Sequence, residues 1–463
     1  MKTITTLLPA DLETPVGIYL KVRDIYPQSA LLESSDYHTT QNSVSIIGVD
    51  PVAHFMVRND EIEQTWPDGR STSMKADHTT VVRELRNYTA SFSALAVPGV
   101  TNGLLGYTAY DAVRYFEPTV PVSKPAPEFA HIPDILYIFY RFIIQVNHFR
   151  NEMTIVENIP DGGVSETPRL ISILKNNNMP LYGFTAADDV TSTLTDEGFM
   201  SIVEKCVAHC KRGDVFQIVP SRRFSQGFKG DDFNVYRALR SINPSPYLFY
   251  FDFASFRVFG SSPETHLRVK DGKAYIDPIA GTFRRTGNDT RDRELAEALL
   301  HDEKENAEHI MLVDLARNDL SRSGGKVDIE FMRQIQFYSH VIHMVSRVRA
   351  ELPADADIFA LFASTFPAGT LSGAPKVRAM QIIDSLEPHA RKIYGGCLGY
   401  LGFDGSINQA ITIRTFISTG QRLYSQAGAG IVAHSSPATE LQETNNKLGA
   451  LRGAVDMASR FNP

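Results

Sequence analysis

Two pairs of glutamates, far apart in the chain, have a spacing that could hold a metal ion. Glu305 and Glu308 form one pair, and Glu440 and Glu443 the other. Residues three apart share one face of a helix, so each stretch would offer two carboxylates to one side. Both carry helix-start signals. Asp302 can cap the first helix, with Glu305 three residues on. Ser436 followed by Pro437 is an N-cap with proline at the first helical position. Four hard oxygen donors on two facing helices suit a divalent cation, most naturally magnesium held partly by its substrate. Acidic residues in a first turn also simply complement the helix dipole, and Glu443 with Lys447 is an ordinary i,i+4 pair. Burial separates the two readings. After Glu308 the residues Ile310, Met311, Leu312, Val313, Leu315 and Ala316 are apolar almost all round, which predicts a buried helix. A buried helix does not keep charges without partners.

Composition narrows the setting. With 463 residues the chain exceeds one typical core. An apolar fraction of 43% and a charged fraction of 21% are those of a soluble globular protein. A net charge of −7 gives no electrostatic reason to expect nucleic acid. The longest apolar run, residues 135–140, is broken by Arg141 and too short for a bilayer, so no membrane span is expected. No charged segment followed by an apolar one opens the chain, so no secretory signal is expected. Three cysteines (Cys206, Cys210, Cys397) point to a reducing cytoplasm. Cys206 and Cys210, with His209 between them, read as buried thiols rather than metal ligands.

Strand-like runs at 16–20, 30–34 and 44–49, a helix near 78–96, and strands at 103–107 and 135–157 fill an N-terminal region, 1–175. The polar stretch 176–194 reads as a linker to a body spanning 195–463. There the pattern predicts helices at 195–211 and 233–241, and strands at 215–219, 247–253, 274–279 and 339–349. The last of these contains His340 and His343. A corner at 261–265 carries Glu264, and Asp271-Gly272 marks a hairpin. The Gly-rich stretch 367–376 precedes a helix with an apolar stripe at Val377, Met380, Ile383 and Leu386. It could hold an anion on its amides or be a plain turn, and it lacks P-loop spacing. Residues 393–433 read as a meander. Within it Arg414 falls on the face opposite Ile411 and Ile413. It is decoration if that face is solvent, and a bidentate carboxylate clamp if it lines a cleft. Gly428-Ala429-Gly430 would let a ligand approach the backbone closely.

Together these stretches resemble the chorismate-utilising enzymes, and within them most closely the aminating, chorismate-binding subunits of anthranilate synthases. The match is carried by residues 213–222, Ser262-Pro263-Glu264, Pro278 to Thr282, Glu305 to Asp319 and His343 to Ser346. It continues through 369–376, Tyr394-Gly395-Gly396, Ile413-Arg414-Thr415, 427–430 and 440–447. It covers about 195–455, and Leu31-Leu32-Glu33-Ser34 resembles the family's tryptophan-feedback motif. Aminodeoxychorismate synthases typically carry lysine where Ala280 stands, and isochorismate synthases carry lysine at the position of Gln217. An amine nucleophile needs no base to activate water, so Ala280 with Gln217 favours amination by ammonia.

The resemblance implies an α+β fold of antiparallel sheets packed face to face between helices, four layers in all. The N-terminal region would pack against the catalytic body. It implies a lyase that converts chorismate and ammonia to anthranilate and pyruvate, the first committed step of tryptophan biosynthesis. Magnesium would be held by Glu305, Glu308, Glu440 and Glu443. Glu264 would protonate the departing ring hydroxyl and His343 would serve the elimination of pyruvate. Gly281, Thr282, Thr370, Tyr394, Arg414, Gly428, Ala429, Gly430 and Lys447 would bind substrate. Pro15, Glu33, Ser34, Pro246 and Leu248 would form a tryptophan pocket. No glutaminase-like half is present in the sequence, so a separate glutamine amidotransferase subunit, in a heterotetramer, is expected to supply ammonia. The alternatives are an aminodeoxychorismate or isochorismate synthase, or a catalytically silent sensing subunit.

Overall fold

The computed structural model describes residues 1–34, 43–322, 325–337 and 341–463. The apolar run at 135–140 becomes intelligible at once. It opens the strand Ile135–Asn147, whose alternate side chains enter two different cores. Tyr137 and Phe139 join one apolar cluster, and Leu136 and Ile138 another. A strand buried on both faces has no reason to alternate apolar with polar.

That strand and its antiparallel neighbour Val44–Arg58 each run through two sheets, and their pairing shifts register between Pro51 and Ala53. The first sheet continues from 44–49 through Ala30–Glu33, Tyr247–Asp252, Arg257–Ser262, Thr415–Thr419 and Arg422–Gly428 to Ser221–Gly230. The second continues through Gly103–Thr108, Cys397–Gly402, Ile407–Ile411, Thr265–Lys270 and Lys273–Ile276 to Val341–Glu351. Between them lies a shared core of Ile46, Ile143, Phe249, Phe251 and Val258 from one sheet and Leu105, Tyr107, Leu136 and Leu398 from the other. The outer face of the first sheet is covered by helices Pro15–Val22, Thr167–Lys175, Phe233–Ile242 and Pro437–Met457. The outer face of the second carries Val81–Ala90, Glu303–Ser321, Ile358–Thr365 and Lys376–Leu386. The order helix, sheet, sheet, helix is the expected four-layer α+β architecture.

Strands of the first 175 residues thus pair with strands of the body at two places, Glu33 opposite Leu248 and Leu104 opposite Leu401. Within 176–194, Phe184–Ala186 and Thr191–Ser192 both pair with Ser221–Gly230.

Several local expectations change. Only Gln217–Ile218 of the 215–219 run is strand, pairing with Gly373–Ala374. The 78–96 helix is shorter, Val81–Ala90, followed by a single 3-10 turn, Ser93–Leu95. Of the 339–349 strand, Ser339 and His340 lie outside the described residues, and Val341–Glu351 is strand. The Glu303–Ser321 helix is not buried all round: Leu312, Val313 and Ala316 are, while Ile310 is 45% exposed. An apolar sequence shows what a helix could bury, and only the sheet beneath decides which face does.

Candidate active site

The two sheets are joined by crossing corners, and these carry chemistry. The chain leaves the first sheet at Ser262, turns through Pro263 and Glu264, and enters the second at Thr265. A second segment returns from Ile411 through Thr412, Ile413 and Arg414 to Thr415. The corners are laced together: Ile411 donates its N–H to the Glu264 carbonyl at 3.0 Å, and Ser261 donates to the Arg414 carbonyl at 3.1 Å. Arg414 takes φ +49°, and the expected meander is interrupted from Thr412 to Arg414. That break turns the guanidinium toward Glu264 rather than leaving it on a sheet face.

The Glu264 carboxyl is pushed up from 4.5 to about 7. Burial is the main cause. The Thr370 hydroxyl and the Lys447 and Arg414 cations beside it pull back. Lys447 donates to the Gly428 carbonyl at 3.0 Å and pairs with Glu443 at 2.7 Å, so it ties the last long helix to the glycine run. Against Glu264 and Thr370 lies a small cavity of about 30 Å³, lined also by Leu312, Leu315 and Ala316 of the first glutamate helix. Thr370 sits in the short helical turn Gly369–Ser372. Gly369 has no room for a side chain, since a Cβ there would stand 1.9 Å from Leu315 Cδ2. The Gly-rich stretch is therefore a seat on that helix as much as a turn.

His343 lies on Val341–Glu351, opposite Thr282 and beside a bulge at Gly281. Gly281 has φ +68°, which only glycine adopts readily. The bulge aims the Gly281 carbonyl at His343 Nδ1, 3.1 Å away. A carbonyl only accepts, so Nδ1 carries the proton and Nε2 is the basic nitrogen. Burial, with help from Arg414 and against the Gly281 carbonyl, pushes this imidazole down to about 4, so it is neutral at pH 7. Arg414 is the charge that acts on both groups, a carboxyl held protonated up to about 7 and a neutral imidazole.

Tyr394 packs in a wall with Leu371 and Ile411. Its phenol accepts from the Gly428 amide and burial holds it well above its ordinary range. Gly430 lies against Gln217, whose Nε2 would stand 2.6 Å from a Cβ there. Gln217 is buried, so its amide contributes to the same wall.

A protein-family model described as chorismate binding enzyme matches residues 28–453. The chain is 38% identical over 469 residues to anthranilate synthase component 1 of Aquifex aeolicus (strain VF5), covering 98% of this chain and 94% of that protein. This chain belongs to the chorismate-binding enzyme family. It is similar in structure to anthranilate synthase component I from Streptococcus pneumoniae TIGR4, with TM-score 0.77 and 30% identity over 96% of this chain and 99% of that one. The fold is also that of the menaquinone-specific isochorismate synthase from Escherichia coli, with TM-score 0.73 and 20% identity over 98% and 94% of the two chains.

In this chorismate-binding enzyme the four glutamates lie on two different helices, Glu303–Ser321 and Pro437–Met457. Asp302 caps the first as expected, accepting from the Glu305 amide at 2.9 Å. Ser436 does not cap the second through its side chain. Its carbonyl takes the Glu440 amide instead. Glu305 comes alongside the Gly281 bulge, its Oε2 3.3 Å from where a Cβ would stand. Glu308 is half-buried, Glu440 buried, and Glu443 held by Lys447. Among the described residues no three His, Cys, Asp or Glu side chains form a ready-made cage for an ion. The donor type, carboxylate oxygen, is the one magnesium takes. The set would need further oxygens, which a substrate carboxylate can supply.

The expected tryptophan pocket falls on the seam between the N-terminal strands and the body. Glu33 is buried, accepts from Tyr236 Oη at 2.6 Å and from Arg240 Nε at 2.9 Å, and lies opposite Leu248 across the sheet. Ser34 follows it, Pro246 precedes the Tyr247–Asp252 strand, and Pro15 opens the helix whose Ile18 and Tyr19 enter the same core. Cys206 and Cys210 are buried thiols, Cys210 donating to the Ile431 carbonyl. No helix among the described residues is long and apolar enough to cross a membrane.

Arg391 is the site residue that sequence reading passes over. It is fully buried behind Thr370 and Tyr394. A lone arginine after Pro388-His389-Ala390 carries no motif, and only the i,i+4 spacing from Glu387 hints at a pair.

Proposed function

We infer that this enzyme is the aminating component of an anthranilate synthase, converting chorismate and ammonia to anthranilate, pyruvate and water. Relatives 36–38% identical over nearly the whole chain carry the name anthranilate synthase component 1. The observation that supports the chemistry is a raised Glu264 and a lowered His343, both acted on by the Arg414 charge.

Glu264 gives its proton to the departing ring hydroxyl, which leaves as water, while the ammonia lone pair forms the new C–N bond. Lysine at 217 or 280 would change the nucleophile or trap the ring; Gln217 and Ala280 do neither. His343 Nε2 then takes a ring proton as pyruvate leaves and the ring becomes aromatic. Arg414, Tyr394 and the amides of Gly428, Ala429 and Gly430 would fix the enolpyruvyl carboxylate. Gly281 and Thr282 amides would fix the ring carboxylate, with Thr370 and Lys447 beside it. Magnesium on Glu305, Glu308, Glu440 and Glu443 would supply Lewis-acid charge at that carboxylate.

Ammonia would come from a separate glutamine amidotransferase subunit in a heterotetramer, tryptophan would inhibit at the Glu33 and Ser34 seam, and the setting would be the cytoplasm. The test is a fluorescence assay of the purified chain with chorismate and magnesium. Anthranilate should form with ammonium salts and not with glutamine. Glutamine-dependent turnover by the chain alone would rule out the separate subunit, and no turnover with ammonium would rule out the activity.

A further inference from the structure

Three stretches that wall the cleft come from separate parts of the chain: the Thr370 turn, the Tyr394 corner, and Gly428–Gly430. The guanidinium of Arg391 meets the first two directly and the third through Val219 and Pro220. Its Nη1 donates to the Leu371 carbonyl at 2.7 Å, inside the turn that carries Thr370. Its Nη2 donates to the Val219 carbonyl at 2.6 Å. The next residue, Pro220, accepts from the Ala429 amide, and Ser221 pairs with Gly428. Its plane lies over the rings of Tyr110 at 4.7 Å and Tyr394 at 5.7 Å. Glu387 holds the guanidinium from behind, accepting from Nε at 2.9 Å. It also accepts from the Ser221 amide and hydroxyl, both at 2.8 Å. Arg391 is 2% exposed and Glu387 3%.

We propose that Arg391, held by Glu387, is the positioning residue for the substrate-carboxylate wall: one planar fork sets the mutual spacing of Thr370, Tyr394 and Gly428–Gly430. The wall's role rests on the function inferred above. A guanidinium can do this because its donors lie in one plane at fixed angles, whereas a lysine ammonium is a point charge that cannot reach the same acceptors together. A buried ion pair is weak evidence for stability on its own account. Here Nη1 and Nη2 each donate to a backbone carbonyl, Leu371 in the Thr370 turn and Val219 next to the partner of the glycine run, which is what positioning requires.

The test is steady-state kinetics of the full chain with ammonium as nitrogen source. Arg391→Lys should raise the chorismate KM about ten-fold or more, and leave the ammonium KM within about two-fold. Glu387→Gln keeps the shape and loses the charge, and should shift the chorismate KM in the same direction. It serves if the lysine variant does not fold. If either folded variant has lowered thermal stability and a chorismate KM within two-fold of the wild type, the pair is a structural brick and the proposal is overturned. A wild-type chain that makes no anthranilate would instead remove the functional reading beneath it, so the two failures are distinguishable.

Discussion

Replacing Glu264 by glutamine tests acid catalysis and burial together. Glutamine keeps the shape and a hydrogen-bond donor but has no proton to give. General acid catalysis contributes about 10²–10⁴-fold, so kcat should fall by that factor, about 3–5 kcal/mol of barrier. The pH dependence is the sharper readout. Glu264 acts when protonated and His343 when neutral, so kcat/KM of the wild type should hold between about 4 and 7 and fall above about 7. In Glu264→Gln the fall above pH 7 should vanish from whatever activity remains. Stability carries a third signature. The carboxyl titrates at about 7 in the folded protein and at 4.5 when exposed. Between those values the unfolded chain ionises first, and wild-type stability is lost as pH rises. The difference corresponds to at most about 3 kcal/mol, less for solvent screening at the cleft. Glu264→Gln should therefore gain stability relative to the wild type between pH 5 and pH 8, read by urea denaturation at each pH. A variant with near-normal kcat, or one whose rate still falls above pH 7, would refute the assignment of Glu264 as the acid.

Gly281→Ala puts a side chain at φ +68° with its Cβ 2.4 Å from Leu299 Cδ1. It should cost about 1–2 kcal/mol, read by denaturant unfolding, and lower kcat further by moving the carbonyl that orients His343; unchanged kcat would contradict that role. Ser34→Arg should relieve tryptophan inhibition without changing uninhibited turnover, measured as the tryptophan concentration giving half-inhibition; unchanged sensitivity would count against the seam pocket. Chelation should abolish activity and added magnesium restore it. Glu308→Gln should raise the magnesium needed for half-maximal rate, and a rate indifferent to chelation would remove the metal from the scheme.

Much of this was legible in the sequence where residue type and local geometry coincide. The Asp271-Gly272 hairpin forms as read, both residues at positive φ, and the Asp302 cap follows from spacing alone. Where tertiary context overrides pattern the sequence misleads. Ser221–Gly230 is a strand despite Arg222 and Arg223, because Asp196 and Glu128 on other segments neutralise them in the core. Lys326–Phe337 alternates polar with apolar over 326–331, but it is largely exposed and its pairing shifts register between Ile329 and Phe331 and again between Phe331 and Gln334. Arg414 was placed by period-two counting on a face that does not exist, since the strand is interrupted from Thr412 to Arg414. The family motifs name the candidate site residues, but the proposed spacing between its walls depends on Arg391, half of whose hydrogen bonds go to backbone carbonyls. Backbone acceptors leave no trace in residue type.

The most direct measurement is the product formed from chorismate, magnesium and ¹⁵N-labelled ammonium by the purified chain, identified by mass spectrometry. Anthranilate bearing the label, with an equal amount of pyruvate, is the predicted result. Isochorismate without nitrogen, or an amino adduct that accumulates with no pyruvate, would contradict it.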